Sequence, residues 1–258
     1  MTEKYKGPAE VVSQEPIAAD IYSLWLEHKE IAAEAKAGQF VSLYPNDSGK
    51  LLPRPLSICE IDAEKGRLRL VYRVTGRKTG TEQFSRLQAG SQIEVMGPLG
   101  NGFPTGGRQK AFLIGGGIGI PPMVELAKQL SGEKQIIAGY RDELFLTDEL
   151  AAAGTLYIAT EDGRSGTRGN VLDAIKANDL QAEVIYACGP TPMLKAITAY
   201  AEEKAIECYL SLEERMACGI GACLACVCQS QEIDEHSNVN NKRICKDGPV
   251  FLASEVVL

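Results

Sequence analysis

The sequence predicts an α+β multidomain fold in three parts: a six-stranded antiparallel β-barrel, an α/β domain on a parallel sheet, and a small C-terminal domain. Three observations predict it. Residues 1–104 read as short strands separated by turns, and residues 105–210 alternate strands with helices. Residues 211–258 carry a compact run of cysteines. A chain of 258 residues is long enough for two domains and a small appendage.

Composition and charge exclude several classes of protein. Hydrophobic residues make up 45% of the chain and charged residues 24%, which is typical of globular proteins. The net charge of −7 gives no electrostatic footprint for nucleic acid, and nothing in the sequence suggests a basic face that would bind a membrane. Residues 1–6 are polar, unlike a signal peptide, and the least charged run, 111–124, is too short to span a bilayer. We therefore expect a cytoplasmic protein with reduced cysteines.

The first part is predicted to form a barrel because six short strands closed on themselves leave no exposed edge. In Arg67–Val74, apolar and polar residues alternate for most of the length, as in a half-buried strand. A helix is expected over Thr81–Leu87, begun by a capping box of Thr79 and Glu82 or by Thr81 itself. The other predicted strands are Ala9–Gln14, Ile21–Glu27, Phe40–Leu43, Leu56–Glu60 and Gln92–Met96.

The second part is predicted to be a parallel sheet with helices on both faces, because short apolar strands alternate with helical stretches. Its boundary lies in or just after the irregular segment 97–103. The predicted helices are Pro121–Leu130, Asn170–Ala177 and Pro192–Lys204. The predicted strands are Ala111–Ile114, Gln135–Gly139, Leu156–Thr160, Glu183–Cys188 and Glu207–Leu210.

A glycine-rich turn follows the first strand of this part and opens its first helix. It reads Gly115-Gly116-Gly117-Ile118-Gly119-Ile120-Pro121-Pro122. Glycines allow the backbone to approach a pyrophosphate closely, and the helix N-terminus opposes the negative charge. Pro121 suits the first helical position, where no N–H partner is needed. The pattern predicts a dinucleotide site, with a tight structural loop as the alternative.

The C-terminal cysteines have the spacing of an iron–sulfur site. Cys218, Cys223 and Cys226 stand in the order C-x4-C-x2-C, and Cys245 follows after a polar loop. This is the plant-type spacing for a [2Fe–2S] cluster. Cys228 does not fit this spacing, and we interpret it as a spare cysteine that does not bind the cluster.

Three other interpretations of the cysteines fit less well. Structural zinc usually takes cysteines in two close pairs, and only Cys223 and Cys226 form such a pair. A Rieske centre needs two histidines, and this region has only His236. A disulfide framework needs an oxidising compartment, whereas we expect this protein in the reducing cytoplasm.

Two further motifs carry a resemblance to a known superfamily. Arg54-Pro55-Leu56-Ser57 lies in the predicted barrel, and Cys188-Gly189-Pro190-Thr191-Pro192-Met193 closes the fourth strand of the second part. With the glycine turn between them, they resemble the R-P-x-S and C-G-P-x-x-M motifs of the ferredoxin reductase superfamily over about residues 1–210. The resemblance implies that FAD binds in the barrel and a nicotinamide nucleotide in the second part. Ser57, near flavin N5, and Cys188, facing the nicotinamide, are the implied catalytic residues.

The same resemblance implies the other residues that bind cofactors. For FAD these are Arg54, which suits a pyrophosphate, Pro55 and Leu56, then Val71, Tyr72 and Arg73, and finally Gly80 and Thr81. Gly80 and Thr81 stand further behind the Tyr-Arg pair than the family usually places them. For the nicotinamide nucleotide they are Gly115, Gly116, Gly117, Gly119, Pro121, Cys188, Gly189, Pro190 and Met193.

Two acidic residues favour NAD over NADP. Glu161 and Asp162 end the third strand of the second part, where they would repel an additional phosphate and accept hydrogen bonds from a ribose. Arg164 and Arg168 follow closely and could reverse that preference.

The cluster segment extends the resemblance to the whole chain. The run M-x-C-G-I-G-A-C-x-A-C, followed by C-x-D-G-P-V-F, resembles the electron-transfer subunits of NAD-linked, type B dihydroorotate dehydrogenases. This implies that Cys218, Cys223, Cys226 and Cys245 ligate the cluster. It also implies a partner subunit that carries FMN and oxidises dihydroorotate in pyrimidine biosynthesis, in a heterotetramer of two copies of each subunit. Electrons would pass through the cluster and FAD to NAD⁺.

Two alternatives remain at this point. One is the reductase subunit of an NAD(P)H–ferredoxin oxidoreductase or of an oxygenase system. The other is a non-enzymatic redox sensor whose cluster reports oxidation to a binding partner.

Overall fold

The chain begins with a closed antiparallel barrel, which confirms the first part of the predicted fold. The computed structural model describes residues 3–47, 49–107, 109–233 and 239–258, and His236 lies outside them. Within these ranges the barrel has six strands, neighbouring in the order β1-β2-β5-β4-β3-β6. The strands are β1 (Tyr5–Ala18), β2 (Ile21–Glu27), β3 (Phe40–Tyr44), β4 (Arg54–Asp62), β5 (Arg67–Arg73) and β6 (Gln92–Leu99).

Two short helices accompany the barrel, α1 (Lys29–Glu34) and α2 (Gly80–Phe84). Thr79 caps α2, because its hydroxyl accepts a hydrogen bond from the Glu82 N–H at 3.2 Å. The Glu82 carboxylate turns to the N–H of Lys78 rather than to that of Thr79, so half of the predicted capping box forms.

The second part is a parallel sheet whose two faces are covered by helices, again as predicted. Helices α3 and α4 pack on one face, and α5 and α6 pack on the other. The helices are α3 (Pro121–Gln129), α4 (Thr147–Ala153), α5 (Val171–Ala177) and α6 (Thr191–Lys204). The strands are β7 (Ala111–Gly116), β8 (Lys134–Tyr140), β9 (Thr155–Thr160), β10 (Thr167–Arg168), β11 (Val184–Cys188) and β12 (Glu207–Ser211).

The C-terminal segment is joined to this sheet. It contributes a hairpin of β13 (Val227–Gln229) and β14 (Asn241–Arg243), followed by β15 (Val250–Leu252), which pairs antiparallel with β12. The sheet order is therefore β10-β9-β8-β7-β11-β12-β15. The predicted limits of the three domains, 1–104, 105–210 and 211–258, stay a prediction. Among the described residues, no helix combines the length and the apolarity needed to cross a bilayer.

One apolar core connects the three parts. It contains Phe40, Met96 and Leu99 on the outer wall of the barrel, together with Phe112 and Leu210 in the sheet. The same core includes four side chains of the C-terminal segment, Met216, Cys226, Ile244 and Cys245. Burial of these side chains in shared contacts fixes the position of the cysteine segment against both other parts.

A buried ion network joins the barrel to the second part on its other side. Arg69 of β5 contacts Glu60 of β4 and Glu149 of α4, and Lys128 of α3 also contacts Glu60. Burial opposes ionisation of Glu60, but the hydrogen bonds from Lys128 and Arg69 outweigh it and hold the pKa of this carboxyl below 4.5.

We expect Glu60 to stabilise the folded chain above pH 4.5, the ordinary pKa of a glutamate, and to lose this contribution as the pH falls through its lower folded pKa. Glu60→Gln should therefore lower the free energy of unfolding by about 2 kcal/mol at pH 7, because it removes a charged hydrogen-bond partner. The difference from wild type should shrink below pH 4.5. Urea unfolding at several pH values measures it. Glu133→Gln is the control, since Glu133 is exposed and its ion pair with the half-buried Lys110 lies at the surface. A pH-independent difference would contradict the prediction.

Candidate functional site

A cavity of about 760 Å³ lies where the three parts of the chain meet. Its barrel side is lined by eight of the nine residues that the superfamily resemblance implies for FAD: Arg54, Pro55, Leu56, Ser57, Val71, Tyr72, Arg73 and Thr81. The ninth, Gly80, lies directly against Arg54, because a Cβ atom on Gly80 would come within 3.0 Å of Arg54 Nε. The structure therefore brings Gly80 and Thr81 to the motif despite their distance from it in sequence.

The polar groups of this cavity suit a large anionic ligand such as FAD. The Arg54 guanidinium donates to the carbonyl of Leu52 at 2.7 Å and forms no ion pair with the described residues. The Ser57 hydroxyl has no hydrogen-bond partner among them either. The Arg54 guanidinium and the Ser57 hydroxyl thus face the cavity with unused hydrogen-bond donors. A guanidinium suits a pyrophosphate, and a hydroxyl suits the polar edge of a flavin ring.

Tyr72 differs from its neighbours because it belongs to the barrel interior. It is 1% exposed, and its hydroxyl donates to Gln14 Oε1 at 2.9 Å. Its ring stacks on Tyr22 with centroids 5.9 Å apart. Burial raises the pKa of Tyr72 well above its usual range. The ring forms a wall of the cavity, whereas the hydroxyl is already satisfied inside the barrel.

The glycine turn and the Cys-Gly-Pro motif form one crevice. They end the neighbouring strands β7 and β11, at the point where the strand order of the sheet reverses and where open α/β sheets bind nucleotides. A Cβ atom on Gly119 would lie 2.3 Å from the carbonyl oxygen of Cys188, and one on Gly116 would lie 2.5 Å from Met193 Sδ. Only glycines allow this approach of the two motifs.

Other residues that the resemblance implies for the nucleotide lie along the same crevice. Gly117 has a φ of +53°, with open space where a side chain would stand. Gly115 ends β7, Pro121 begins α3, and Gly189 and Pro190 lead from β11 into α6. Cys188 is fully buried, and this burial raises the pKa of its thiol well above the usual range.

The two acidic residues at the end of β9 differ in their partners. Asp162 pairs with Arg164, with 2.9 Å between its Oδ2 and the arginine Nε. Glu161 is exposed and forms no ion pair with the described residues. Of the two carboxylates, Glu161 therefore has the less compensated charge.

Several residues that line the cavity were missed by the sequence motifs, among them the polar residues Ser211 and Glu213. Ser211 ends β12 and Glu213 follows it, and both line the cavity beside Ile118 of the glycine turn. Glu213 is accessible through the cavity, yet the protein atoms around it desolvate its carboxyl and raise its pKa. The signal available in the sequence was the position of Ser211 at the carboxyl end of a parallel strand, next to the strand of Cys188.

The cysteines of the C-terminal segment are arranged as two pairs. The Sγ atoms of Cys218 and Cys223 are 3.3 Å apart. Cys245 lies beside Cys226, and its sulfur accepts a hydrogen bond from the Gly221 N–H at 3.1 Å. Within the described ranges, no three metal-binding side chains converge as a site for a single ion. Two thiol pairs fit a two-iron cluster with four cysteine ligands.

The loop between the first cysteines directs backbone donors at sulfur. Burial disfavours the thiolate of Cys218, but hydrogen bonds from the N–H groups of Cys223, Ile220 and Ala222 outweigh it and lower its pKa to about 6. Cys228 takes no part in this arrangement, because it lies on β13 and its thiol donates to the carbonyl of Lys242 at 3.5 Å.

Family models match two segments of the chain. Residues 8–103 match an oxidoreductase FAD-binding domain, and residues 213–257 match the iron–sulfur cluster binding domain of dihydroorotate dehydrogenase B. These matches confirm the predicted FAD and iron–sulfur domains.

Solved structures show the same fold. The structure of an NADH-dependent reduced ferredoxin–NADP oxidoreductase superposes with a TM-score of 0.85 and 29% identity, covering 96% of this chain and 89% of that one. A cytochrome P450 reductase from Amycolatopsis superposes with a TM-score of 0.68 and 24% identity, covering 79% and 67% of the two chains.

Whole-length relatives give the family. An electron transfer subunit of dihydroorotate dehydrogenase B (NAD(+)) from Bacillus caldolyticus is 44% identical over 257 residues, covering 96% of this chain and 97% of that protein. The corresponding subunit from Geobacillus sp. (strain WCH70) is 46% identical with the same coverage. This confirms the resemblance that the cysteine motif predicts. The chain belongs to the family of electron transfer subunits of dihydroorotate dehydrogenase B.

Proposed function

We propose that the chain takes electrons from a catalytic subunit that carries FMN and oxidises dihydroorotate, and delivers them to NAD⁺. The observation that carries the proposal is the position of the flavin cavity. One wall includes Ile118 of the glycine turn and Ser211 beside Cys188, and another includes Arg215 and Met216, which lead into the cysteine loop. The cavity thus lies between the nicotinamide crevice and the cluster segment. We propose a heterotetramer of two copies of each subunit, acting in the cytoplasm.

The order of the nicotinamide crevice, the flavin cavity and the cluster segment matches the chemistry of the three groups. FAD exchanges electrons singly or in pairs, so it links a one-electron cluster to a two-electron nicotinamide. In the chain, Arg54 with Gly80 and Thr81 binds the pyrophosphate of FAD, and Pro55, Leu56, Val71, Tyr72 and Arg73 form the cavity around it. Ser57 offers its hydroxyl to the reacting edge of the flavin.

The crevice between β7 and β11 serves the nicotinamide nucleotide. Gly115, Gly116, Gly117 and Gly119 bind its pyrophosphate through the backbone, ahead of Pro121 at the start of α3. Cys188, Gly189, Pro190 and Met193 form the wall at the nicotinamide end. The buried Cys188 thiol stays protonated, so it excludes water without adding charge.

The four cysteines Cys218, Cys223, Cys226 and Cys245 ligate the cluster in this proposal, and their loop meets the partner. Ile220 is 46% exposed and Leu224 is 72% exposed, so together they offer an apolar centre for such a contact. Both side chains belong to the loop that runs between the ligands, so a protein docked there brings its own flavin near the cluster.

Reconstitution tests the proposal. The chain alone should reduce artificial electron acceptors with NADH but should form no orotate from dihydroorotate and NAD⁺. Adding an FMN-containing dihydroorotate dehydrogenase subunit should start orotate formation, and light scattering of the complex gives its stoichiometry. If the chain alone makes orotate, or if the reconstituted complex makes none, the proposal is wrong. Failure to reduce dyes with NADH would favour a redox sensor.

NADH should be preferred over NADPH by at least about tenfold in kcat/KM, which corresponds to about 1.4 kcal/mol. The reason is repulsion between the extra phosphate and Glu161, whose carboxylate forms no ion pair within the described part of the chain. Glu161→Gln should reduce the preference, whereas Asp162→Asn should change it less because Arg164 already pairs with Asp162. Steady-state assays with both nucleotides measure this. A preference for NADPH would contradict the prediction and support a ferredoxin–NADP oxidoreductase activity.

Leu224→Glu should weaken the complex with the catalytic subunit at least about tenfold in Kd, because a charge would replace an exposed apolar group at the centre of the contact. Isothermal titration of the two subunits measures the affinity, and iron content shows that the cluster is intact. Leu51→Glu is the control, since Leu51 is 83% exposed but lies outside the cysteine loop, in the loop between β3 and β4. Equal effects of both substitutions would contradict the placement of the docking surface.

A further inference from the structure

The outer wall of the barrel contacts the cysteine loop through strand β3. Val41 and Leu43 point into the barrel interior, so Phe40, Ser42 and Tyr44 point outward. Phe40, with Met96 and Leu99 of the adjacent β6, packs in the same core as Cys226 and Cys245. The surface under the cysteine loop is therefore apolar except at its centre.

The exception at the centre is Ser42. It is fully buried, and its hydroxyl has no hydrogen-bond partner among the described residues. A buried polar group left without a partner costs about 1–3 kcal/mol. Such a group in an apolar contact surface needs an acceptor or donor that the polypeptide itself does not provide.

Gly219 shows how close the cysteine loop comes to this hydroxyl. It directly follows Cys218 and has a φ of +68°. A Cβ atom placed on it would lie 3.3 Å from Ser42 Oγ, 3.3 Å from Leu99 Cδ1 and 3.2 Å from Met96 Cε. The loop is thus held against the barrel wall, and the hydroxyl lies next to the residue that follows a proposed ligand.

We propose that the Ser42 hydroxyl donates a hydrogen bond to sulfur of the [2Fe–2S] cluster, either a cysteine thiolate or a bridging sulfide, and thereby raises the reduction potential of the cluster. This rests on the proposed assignment of the four cysteine ligands. A cluster bound by these cysteines would supply sulfur atoms as hydrogen-bond acceptors next to this otherwise apolar surface. A hydrogen bond to cluster sulfur stabilises the reduced form, which carries one more negative charge.

Ser42→Ala tests the proposal through the potential of the cluster and not through turnover. At a fixed ambient potential, the ratio of reduced to oxidised cluster should fall about tenfold, which is a shift of about 59 mV for one electron. A redox titration followed by the electron paramagnetic resonance of the reduced cluster measures this in the full chain. Iron and sulfide analysis of wild type and variant shows separately whether a cluster is bound at all.

Tyr44→Phe is the matched control. It removes a hydroxyl from the same strand and the same face, but that hydroxyl already contacts Met96 Sδ at 3.8 Å. Its potential should equal that of wild type. In the apoprotein, Ser42→Ala should be at least as stable as wild type to heat, because the lost hydroxyl has no partner among the residues that the structure describes.

An unchanged potential in Ser42→Ala with full iron content would overturn the proposal, and so would an equal shift in Tyr44→Phe. If Ser42→Ala fails to hold iron, Ser42→Thr decides, because threonine keeps the donor. Wild-type iron content and potential in Ser42→Thr would support the proposal, and loss of either would count against it. A wild-type chain without iron and sulfide would instead refute the cluster assignment.

Discussion

Cys245→Ser is expected to remove the iron and sulfide of the chain and to reduce NAD⁺-dependent orotate formation by the reconstituted complex to background. Cys245 is buried between the hairpin and β15, where a serine oxygen cannot replace a thiolate and solvent cannot supply a ligand. Reduction of artificial dyes by NADH should persist, because it needs only the flavin cavity and the nucleotide crevice. Iron analysis and the two assays together measure the effect.

Cys228→Ser is the matched control for this experiment. Its thiol donates to a backbone carbonyl of the hairpin, so the variant should keep full iron content and full orotate formation. Loss of the cluster from Cys228→Ser, with retention in any one of the other four serine variants, would show that the ligand set is wrong.

Ser57→Ala is expected to slow the reduction of bound FAD by NADH about 100- to 1000-fold while the chain keeps most of its FAD. Loss of one hydrogen bond that strengthens in the transition state typically has this effect. The Ser57 hydroxyl has no hydrogen-bond partner among the described residues, so its removal should leave the barrel intact. In the proposed function Arg54 holds the pyrophosphate, and this contact should persist. Stopped-flow measurement of flavin absorbance, together with the FAD content of the purified protein, separates binding from reaction.

Ser91→Ala provides a control from the same barrel, because the Ser91 hydroxyl bonds only to the backbone of Gln88 among the described residues and lies outside the cavity. It should reduce FAD at the wild-type rate. A wild-type rate in Ser57→Ala as well would mean that Ser57 has no role in hydride transfer.

The pattern of apolar and polar residues predicted helices and strands well where buried and exposed positions alternate regularly. Strand β2 coincides with the predicted Ile21–Glu27, because its apolar residues face a barrel interior that the sequence alone implies. Helix α4 was not predicted, because it follows Leu146 in a left-handed conformation and has no side-chain cap to mark its start. Strand β15 was not predicted either, since three residues become a strand only through pairing with β12.

The candidate site shows the same division. Residues in motifs, such as Arg54 and Cys188, could be predicted because each motif is contiguous in sequence. Ser42, Ser211 and Glu213 could not, because their significance comes from what lies opposite them after folding. The distance between Arg73 and Gly80 in sequence suggested a poor match to the superfamily, yet folding of α2 places Gly80 against Arg54.

The pairing of β15 with β12 also determines how electrons can travel through the chain. A cluster on a tethered, swinging module would reach its flavin by diffusion, and linker length would limit the rate. Here the segment that bears the cysteines is an edge of the nucleotide-binding sheet and a part of the core beneath the barrel. The fold therefore fixes the distance between the cluster site and the flavin site. The rate of electron transfer can change through local contacts but not through the length of a linker. The cluster segment is also no detachable module, because its removal would leave the edge of β12 unpaired.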